Sequence, residues 1–380
     1  MEFEQLLQTI VDKKASDLFL TVGVPPCIKV DGKLSPLPLE RLSGDRVKEL
    51  ARKLMSERQQ KEFVTTQECN FAVSYPGIGR FRVSAYIQRN QVGMVLRRIV
   101  TDIPSIDQLG LPKMIKDLAM VKRGLVLFVG ATGAGKSTSL AAMVDYRNTH
   151  STGHIISIED PIEYLFSHKN CIVTQREVGL DTESFEVALK NTLRQAPDVI
   201  MIGEVRTRQT MEYALAFAET GHLCLATLHA NNANQALDRI ISFFPTERHP
   251  QIWLDLSLNL RAVVAQQLIP DKAGVGRHAA VEILLGTPLV SDMIRMGQVT
   301  ELKGIMGRSI ELGMQTFDQA LFSLFERGLI TYDSALACAD SVNDLRLMIK
   351  LHSEKQGSQK KNDFSGVKLR DYDEDDEDDI

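Results

Sequence analysis

The sequence predicts an α/β protein in which strands alternate with helices, behind a smaller region of mixed character. Three observations carry that expectation. Residues 130–137 read GATGAGKS, a complete G-x-x-x-x-G-K-[ST] phosphate loop, set directly behind the apolar run Gly124 to Val129. Beyond residue 113, apolar runs at 125–129, 154–158, 199–203 and 223–228 alternate with helix-like stretches, the mark of a parallel sheet. Before residue 100, the stretches 71–75, 79–86 and 92–99 alternate as antiparallel strands do.

Taken in order, Phe3, Leu6, Leu7, Ile10 and Val11 recur at helical spacing, and Asp17 to Thr21 follow as a strand. Ile28-Lys29-Val30 ahead of Asp31-Gly32 predicts a strand and a hairpin turn. Leu50, Leu54 and Phe63 predict one further helix, and the three alternating strands complete a domain over 1–100. Residues 101–112 hold two prolines and few apolar repeats, so they are expected to link it to a second domain over 113–352. The stretch Thr138 to Val144 predicts the helix that leaves the phosphate loop. From Ile252 to about Lys350 the chain is expected to be helical. Residues 353–380 are rich in Ser, Lys, Asp and Glu and are expected to be disordered.

Composition narrows the class. At 380 residues the chain has room for two or three domains, and apolar and charged fractions of 44% and 24% are those of an ordinary soluble protein. Cys27, Cys69, Cys171, Cys224 and Cys338 are scattered with no C-x-x-C pair. A reducing compartment is therefore expected, with neither a disulfide framework nor a zinc site. Acidic Glu2 and Glu4 follow Met1, so no signal peptide is expected, and no run of 18 apolar residues marks a membrane span. The net charge of −5 hides a concentrated tail: the last ten residues, DYDEDDEDDI, carry eight acids, and setting them aside leaves +3. That balance shows no basic footprint for direct nucleic-acid binding. The tail reads as solvated, or as an electrostatic handle for a basic partner.

The phosphate loop needs a strand to deliver it and a helix to leave it with its N-terminus aimed at an anion. Gly130, Gly133 and Gly135, with Ala131, Thr132 and Ala134 between them, let the backbone turn tightly so that successive N–H groups face phosphate. Lys136 would reach the β- and γ-phosphates of ATP, and the Ser137 hydroxyl would ligate Mg²⁺ beside Thr138. Hydrolysis requires more: a carboxylate for the attacking water, a metal partner and cationic stabilisation. The run 154–158 leads into Glu159-Asp160-Pro161-Ile162-Glu163, whose acids either supply a general base or form a turn facing water. A second run, 198–204, looks like a Walker-B strand, with Glu204 at its carboxyl end beside Mg²⁺ and Gly203 leaving room for close approach. His222 and His229 bracket the run 223–228, too far apart to share a metal. His229 is a candidate γ-phosphate sensor, or a capping histidine.

These segments, in this order and spacing, resemble the type II secretion and type IV pilus ATPase superfamily. ASDLFL, RGLVLFVG, VTQREVG and ELGMQTFDQAL also fit, so the resemblance covers roughly residues 1–350. It implies an N-terminal PAS-like α+β domain, a RecA-like P-loop ATPase domain and a homohexamer. It also implies that Lys136, Ser137 and Thr138 bind phosphate and Mg²⁺, that Glu163 is the catalytic carboxylate, that Glu204 is the Walker-B acid, and that His222 and His229 form a histidine box. Arginines of the N-terminal domain reach a nucleotide site in this superfamily. Arg82, Arg97 and Arg98 are the candidates here, each equally readable as an exposed strand charge.

Assembly members of the superfamily carry two C-x-x-C pairs after the histidine box. Here Gln266 to Pro270 runs directly to Gly276-Arg277-His278, which resembles the retraction branch. That branch carries AIRNLIRE after Gly-Thr-Pro, whereas Gly286-Thr287-Pro288 is followed here by LVSDMIRM. The departure and the acidic tail point to an accessory member. The resemblance thus implies a cytoplasmic hexamer, peripheral at the inner membrane, that hydrolyses ATP to drive or assist pilus depolymerisation and twitching motility. Its expected partners are a PilT-like ATPase and the inner-membrane pilus platform protein. Two alternatives stay open: an ATP-binding regulatory subunit acting through the PilT-like ATPase, and a nucleic-acid-dependent motor.

Overall fold

The computed structural model describes residues 3–361 apart from 31 and 101, with side chains through residue 351. Helix α1 (Phe3–Asp12) turns Leu6, Leu7 and Ile10 inward, and β1 (Asp17–Leu20), β2 (Cys27–Val30) and β3 (Lys33–Pro36) follow. The single helix expected around Leu50 to Phe63 is two, α2 (Gly44–Leu54) and α3 (Glu57–Thr66). The reason is local: the Ser56 hydroxyl accepts the Gln59 N–H while the Gln59 side chain accepts the Ser56 N–H, a capping box that restarts the helix. Strands β4 (Glu68–Tyr75), β5 (Gly79–Gln88) and β6 (Gln91–Ile99) complete an antiparallel sheet of order β3-β2-β1-β6-β5-β4. Its core holds Leu18, Phe71, Phe81, Met94 and Leu96 under α1 and α2.

The segment expected as a linker packs: Ile106 and Leu111 are buried, and Asp107 pairs with Lys116 of α4 (Met114–Ala119) at 2.7 Å. The second sheet then begins with β7 (Gly124–Val129), every residue of it buried. There follow α5 (Lys136–His150), β8 (Gly153–Glu159), β9 (Cys171–Glu177), α6 (Phe185–Thr192), β10 (Val199–Ile202), α7 (Arg208–Glu219), β11 (Leu223–Leu228), α8 (Ala233–Ser242) and α9 (His249–Asn259). Strands β12 (Leu260–Pro270) and β13 (Arg277–Leu285) come next. Helices α10 (Pro288–Arg295), α11 (Leu302–Arg308), α12 (Phe317–Glu326), α13 (Tyr332–Ala337) and α14 (Val342–Lys361) close the described chain. The helical backbone of α14 runs into the segment expected to be disordered. The acidic end of that segment lies outside the described residues.

The sheet order is β13-β12-β7-β11-β10-β8-β9, parallel throughout except for β13. The four expected strands are therefore neighbours at its centre. Residues 260–285 correct the expectation of a helical C-terminal part, since they form a hairpin that extends this sheet. Ala262 to Ala265 are all buried, so the strand shows no alternation, and a short continuous apolar run does not distinguish strand from helix. Pro270, Gly274 and Gly276 at the hairpin turn were the available signal.

Candidate nucleotide site

Because β7, β8, β10 and β11 are parallel, their carboxyl ends meet at one edge of the sheet, where ligands of open α/β sheets bind. The phosphate loop leaves β7 there and enters α5. Two of its glycines are required by their neighbour Gln266, a buried residue of β12. A methyl on Gly130 would lie 2.6 Å from the Gln266 carbonyl oxygen, and one on Gly135, at φ +85°, would lie 2.7 Å from Gln266 Nε2. That Nε2 donates to the Ala134 carbonyl at 2.9 Å, and Gln266 Oε1 accepts from Ser139 Oγ at 2.7 Å. Gln266 thus braces the loop from behind. Reading this segment as helix hid it.

Lys136 Nζ donates to the carbonyls of Gly130 and Ala131 at 2.8 and 3.0 Å, folding the side chain over its own loop. Burial lowers the pKa of its ammonium group, while the nearby carboxylates Glu204 and Glu163 oppose that shift. Lys136 and Ser137, with Thr132 and Gly133, line one wall of a cleft of about 260 Å³. Glu159, Asp160, Glu163, Gly203, Glu204 and His229 line the rest, so the candidate acids and the candidate sensor converge on the loop. Ala131 and Ala134 face a separate hollow beside Arg277. Thr138 Oγ1 lies 2.8 Å from the Tyr164 hydroxyl, tying the first turn of α5 to the acidic segment.

Glu204 is held from two sides. His229 Nε2 lies 2.8 Å from its Oε1, and Arg206 donates to its Oε2 from Nε at 2.8 Å and Nη2 at 2.7 Å. Arg206 was not singled out from the sequence, although its place two residues past the Walker-B acid was visible. Glu204 in turn raises the Arg206 pKa through this charge-assisted bond.

Glu159 differs from its neighbours in being buried. Burial lifts its carboxyl from 4.5 to about 7, against hydrogen bonds from Ser157 and Gln175 that favour the ionised form. A carboxyl whose pKa is raised on folding adds stability that is fully present below its unfolded value and is lost as pH rises through its folded one. For Glu159 that window runs from 4.5 to about 7. Glu159→Gln is expected to flatten the decline of melting temperature across this window. Parallel melts of variant and parent check it, and identical slopes would refute it.

Not every candidate reaches the cleft. His222 sits at the opposite end of β11, with its Nδ1 3.1 Å from Thr220 Oγ1 and 3.3 Å from the Phe217 carbonyl. Arg97 pairs with Asp17 at 2.8 Å in the N-terminal sheet. Arg82 faces a hollow shared with Glu177 and Leu180, and Arg98 lies on β6; none of the three arginines lines the cleft of its own chain.

A parallel sheet that presents a phosphate loop and the acid-tipped ends of β8 and β10 along one edge is the build of a nucleotide-hydrolysing α/β protein, and this chain belongs to the type II/IV secretion system protein family, whose profile matches residues 2–298. Within that family it is 64% identical over 375 residues to the type IV pilus ATPase PilU of Pseudomonas aeruginosa, covering 99% of this chain and 98% of the relative. It is 42% identical to the pilus retraction ATPase PilT of the same organism over 335 residues, 88% of this chain and 97% of the relative. Among solved structures, the pilus retraction motor PilT with bound ADP superposes with a TM-score of 0.85 at 38% identity, covering 91% of this chain and 99% of that one. The ATPase DotB of Legionella pneumophila gives 0.72 at 26% identity, covering 87% and 93%.

Proposed function

We propose that this chain is an ATP-hydrolysing motor subunit of the type IV pilus retraction machinery. One observation carries the reading: Lys136, Ser137, Glu163, Glu204 and His229 share a single cleft, in a chain 64% identical to PilU over 99% of its length. The N-terminal sheet is read as the PAS-like domain and the second sheet as the RecA-like ATPase domain, joined by the packed segment after residue 100. Lys136 leaves the Gly130 and Ala131 carbonyls for the β- and γ-phosphates. Glu163 accepts the proton of the attacking water, and His229 senses the γ-phosphate through the Glu204 it touches.

The site's oxygen donors fit Mg²⁺, a hard cation that prefers few protein ligands beside nucleotide phosphate. Ser137 and Glu204 would hold it, and it would supply neutralisation of phosphate charge. Both Glu204 oxygens are engaged by His229 and Arg206, so Glu204 would hold the ion directly only on releasing one of them.

The working assembly is a homohexamer beside a PilT-like ATPase, acting on the inner-membrane platform protein from the cytoplasmic side. Similarity to PilU and PilT supports that setting. Among the described residues no helix is long and apolar enough to cross a membrane. The complete set of cleft residues favours hydrolysis over a purely regulatory role. Purified chain given Mg²⁺ and ATP, alone and mixed with a PilT-like ATPase, is expected to release phosphate beyond the partner's own rate. Restoring the gene to a deletion strain is expected to restore twitching. Phosphate release that never exceeds the partner's own would overturn the proposal.

A further inference from the structure

The Glu163 carboxylate has no hydrogen bond or ion pair of its own among the described residues, so its position depends on the backbone that carries it. That backbone is held by side chains of β9, together with the Leu165 N–H on the Val100 carbonyl at 3.3 Å. Gln175 Nε2 donates to the Tyr164 carbonyl at 2.8 Å and to Glu159 Oε1 at 3.1 Å, while its Oε1 accepts the Phe166 N–H at 2.9 Å. Glu177 Oε2 accepts the Ile162 N–H at 3.3 Å. The segment 162–166 is thereby fastened on both sides of Glu163, and Gln175 supplies two of those three side-chain bonds. It is also the one amide in the set, able to donate and accept at once without carrying charge into a cleft already rich in acids. An apolar residue of similar size would leave the Phe166 N–H and the Tyr164 carbonyl without these partners.

We propose that Gln175 is a positioning residue for hydrolysis, setting the register at which Glu163 meets the attacking water. The inference rests on the reading of Glu163 as the catalytic carboxylate. A misplacement of about 1 Å at a reacting group can cost about 100-fold in rate, so the loss of this clamp falls on the chemical step. Nucleotide binding relies instead on the phosphate loop, which Gln266 braces separately.

Steady-state hydrolysis and fluorescent-ADP binding by the full chain provide the test. Gln175→Leu is expected to lower kcat about 100-fold while KM for ATP and the affinity for ADP stay within about twofold. Added to Glu163→Gln it is expected to change the residual rate by no more than about twofold, since there is no carboxylate left to misplace. Gln175→Glu keeps the acceptor for the Phe166 N–H and donates to the Tyr164 carbonyl only when protonated. With the Glu159 carboxyl against the introduced one, its rate relative to the parent is expected to rise as pH falls from about 8 to about 6. A Gln175→Leu protein near the parental rate overturns the proposal, as does a loss in which ADP affinity falls in step. Should Gln175→Leu fail to fold, the Gln175→Glu ratio decides, and a flat ratio overturns the proposal. A Glu163→Gln protein at the parental rate overturns the parent reading and this inference together. An inactive Glu163→Gln beside an active Gln175→Leu overturns this inference alone.

Discussion

Lys136→Ala is expected to lower kcat for ATP about 100- to 1000-fold, the cost of removing a preorganised donor from developing phosphate charge. Lys136 is the cation closest to the loop in a cleft that also holds Glu159, Asp160, Glu163 and Glu204. Without it, a polyanionic nucleotide meets carboxylates with Arg206 the one lysine or arginine left among the described residues lining the cleft, and that guanidinium is already committed to Glu204. The fold has little reason to suffer, because position 136 opens α5 and alanine is the best helix former. The freed carbonyls of Gly130 and Ala131 account for any small loss of stability. Phosphate release at saturating ATP, with a thermal melt as control, checks the result. A parental rate would remove Lys136 from the chemistry.

Glu163→Gln is expected to separate binding from turnover. Loss of a general base costs about 10²- to 10⁴-fold, and the amide keeps the size of the side chain. Affinity for ADP should hold or improve, since the substitution withdraws a negative charge from the nucleotide's surroundings. The same charge helps to hold the Glu159 pKa up, so the variant should also ease Glu159 toward ionisation. A single-turnover measurement beside ADP binding distinguishes these effects. Equal losses in both would mean that Glu163 shapes the site rather than serving the reaction.

The central strands were legible because each is a short apolar run bounded by turn chemistry, and β7 leads into the phosphate loop. The edge strands were less so. In β12 the fully buried run Ala262 to Ala265 has no period, and β9 was noticed only as a family segment. The site divides along the same line. Residues whose chemistry is local to a motif, such as Lys136, Ser137 and Glu204, could be read directly, and the cleft gathers them. Residues whose role depends on a partner distant in sequence could not: Gln266 matters only because β12 lies beside β7, and Gln175 only because the chain after Asp160 folds back over β9. The arginines were harder to read for a related reason. Alternation along the strands holding Arg82, Arg97 and Arg98 says which residues share a face but not which distant neighbour each meets, and Arg97 meets Asp17.

The brace on the phosphate loop also dates the site during synthesis. Gln266 and Ala134 are 132 residues apart, so a ribosome that has finished the loop must translate for on the order of ten seconds more before its support exists. In that interval the nascent chain carries every letter of the motif but not the strand behind it. The braced form of the loop therefore arrives late, once the β12–β13 hairpin has joined the sheet. A truncated product ending before that hairpin would be a chain with the signature of an ATPase and no brace behind its phosphate loop.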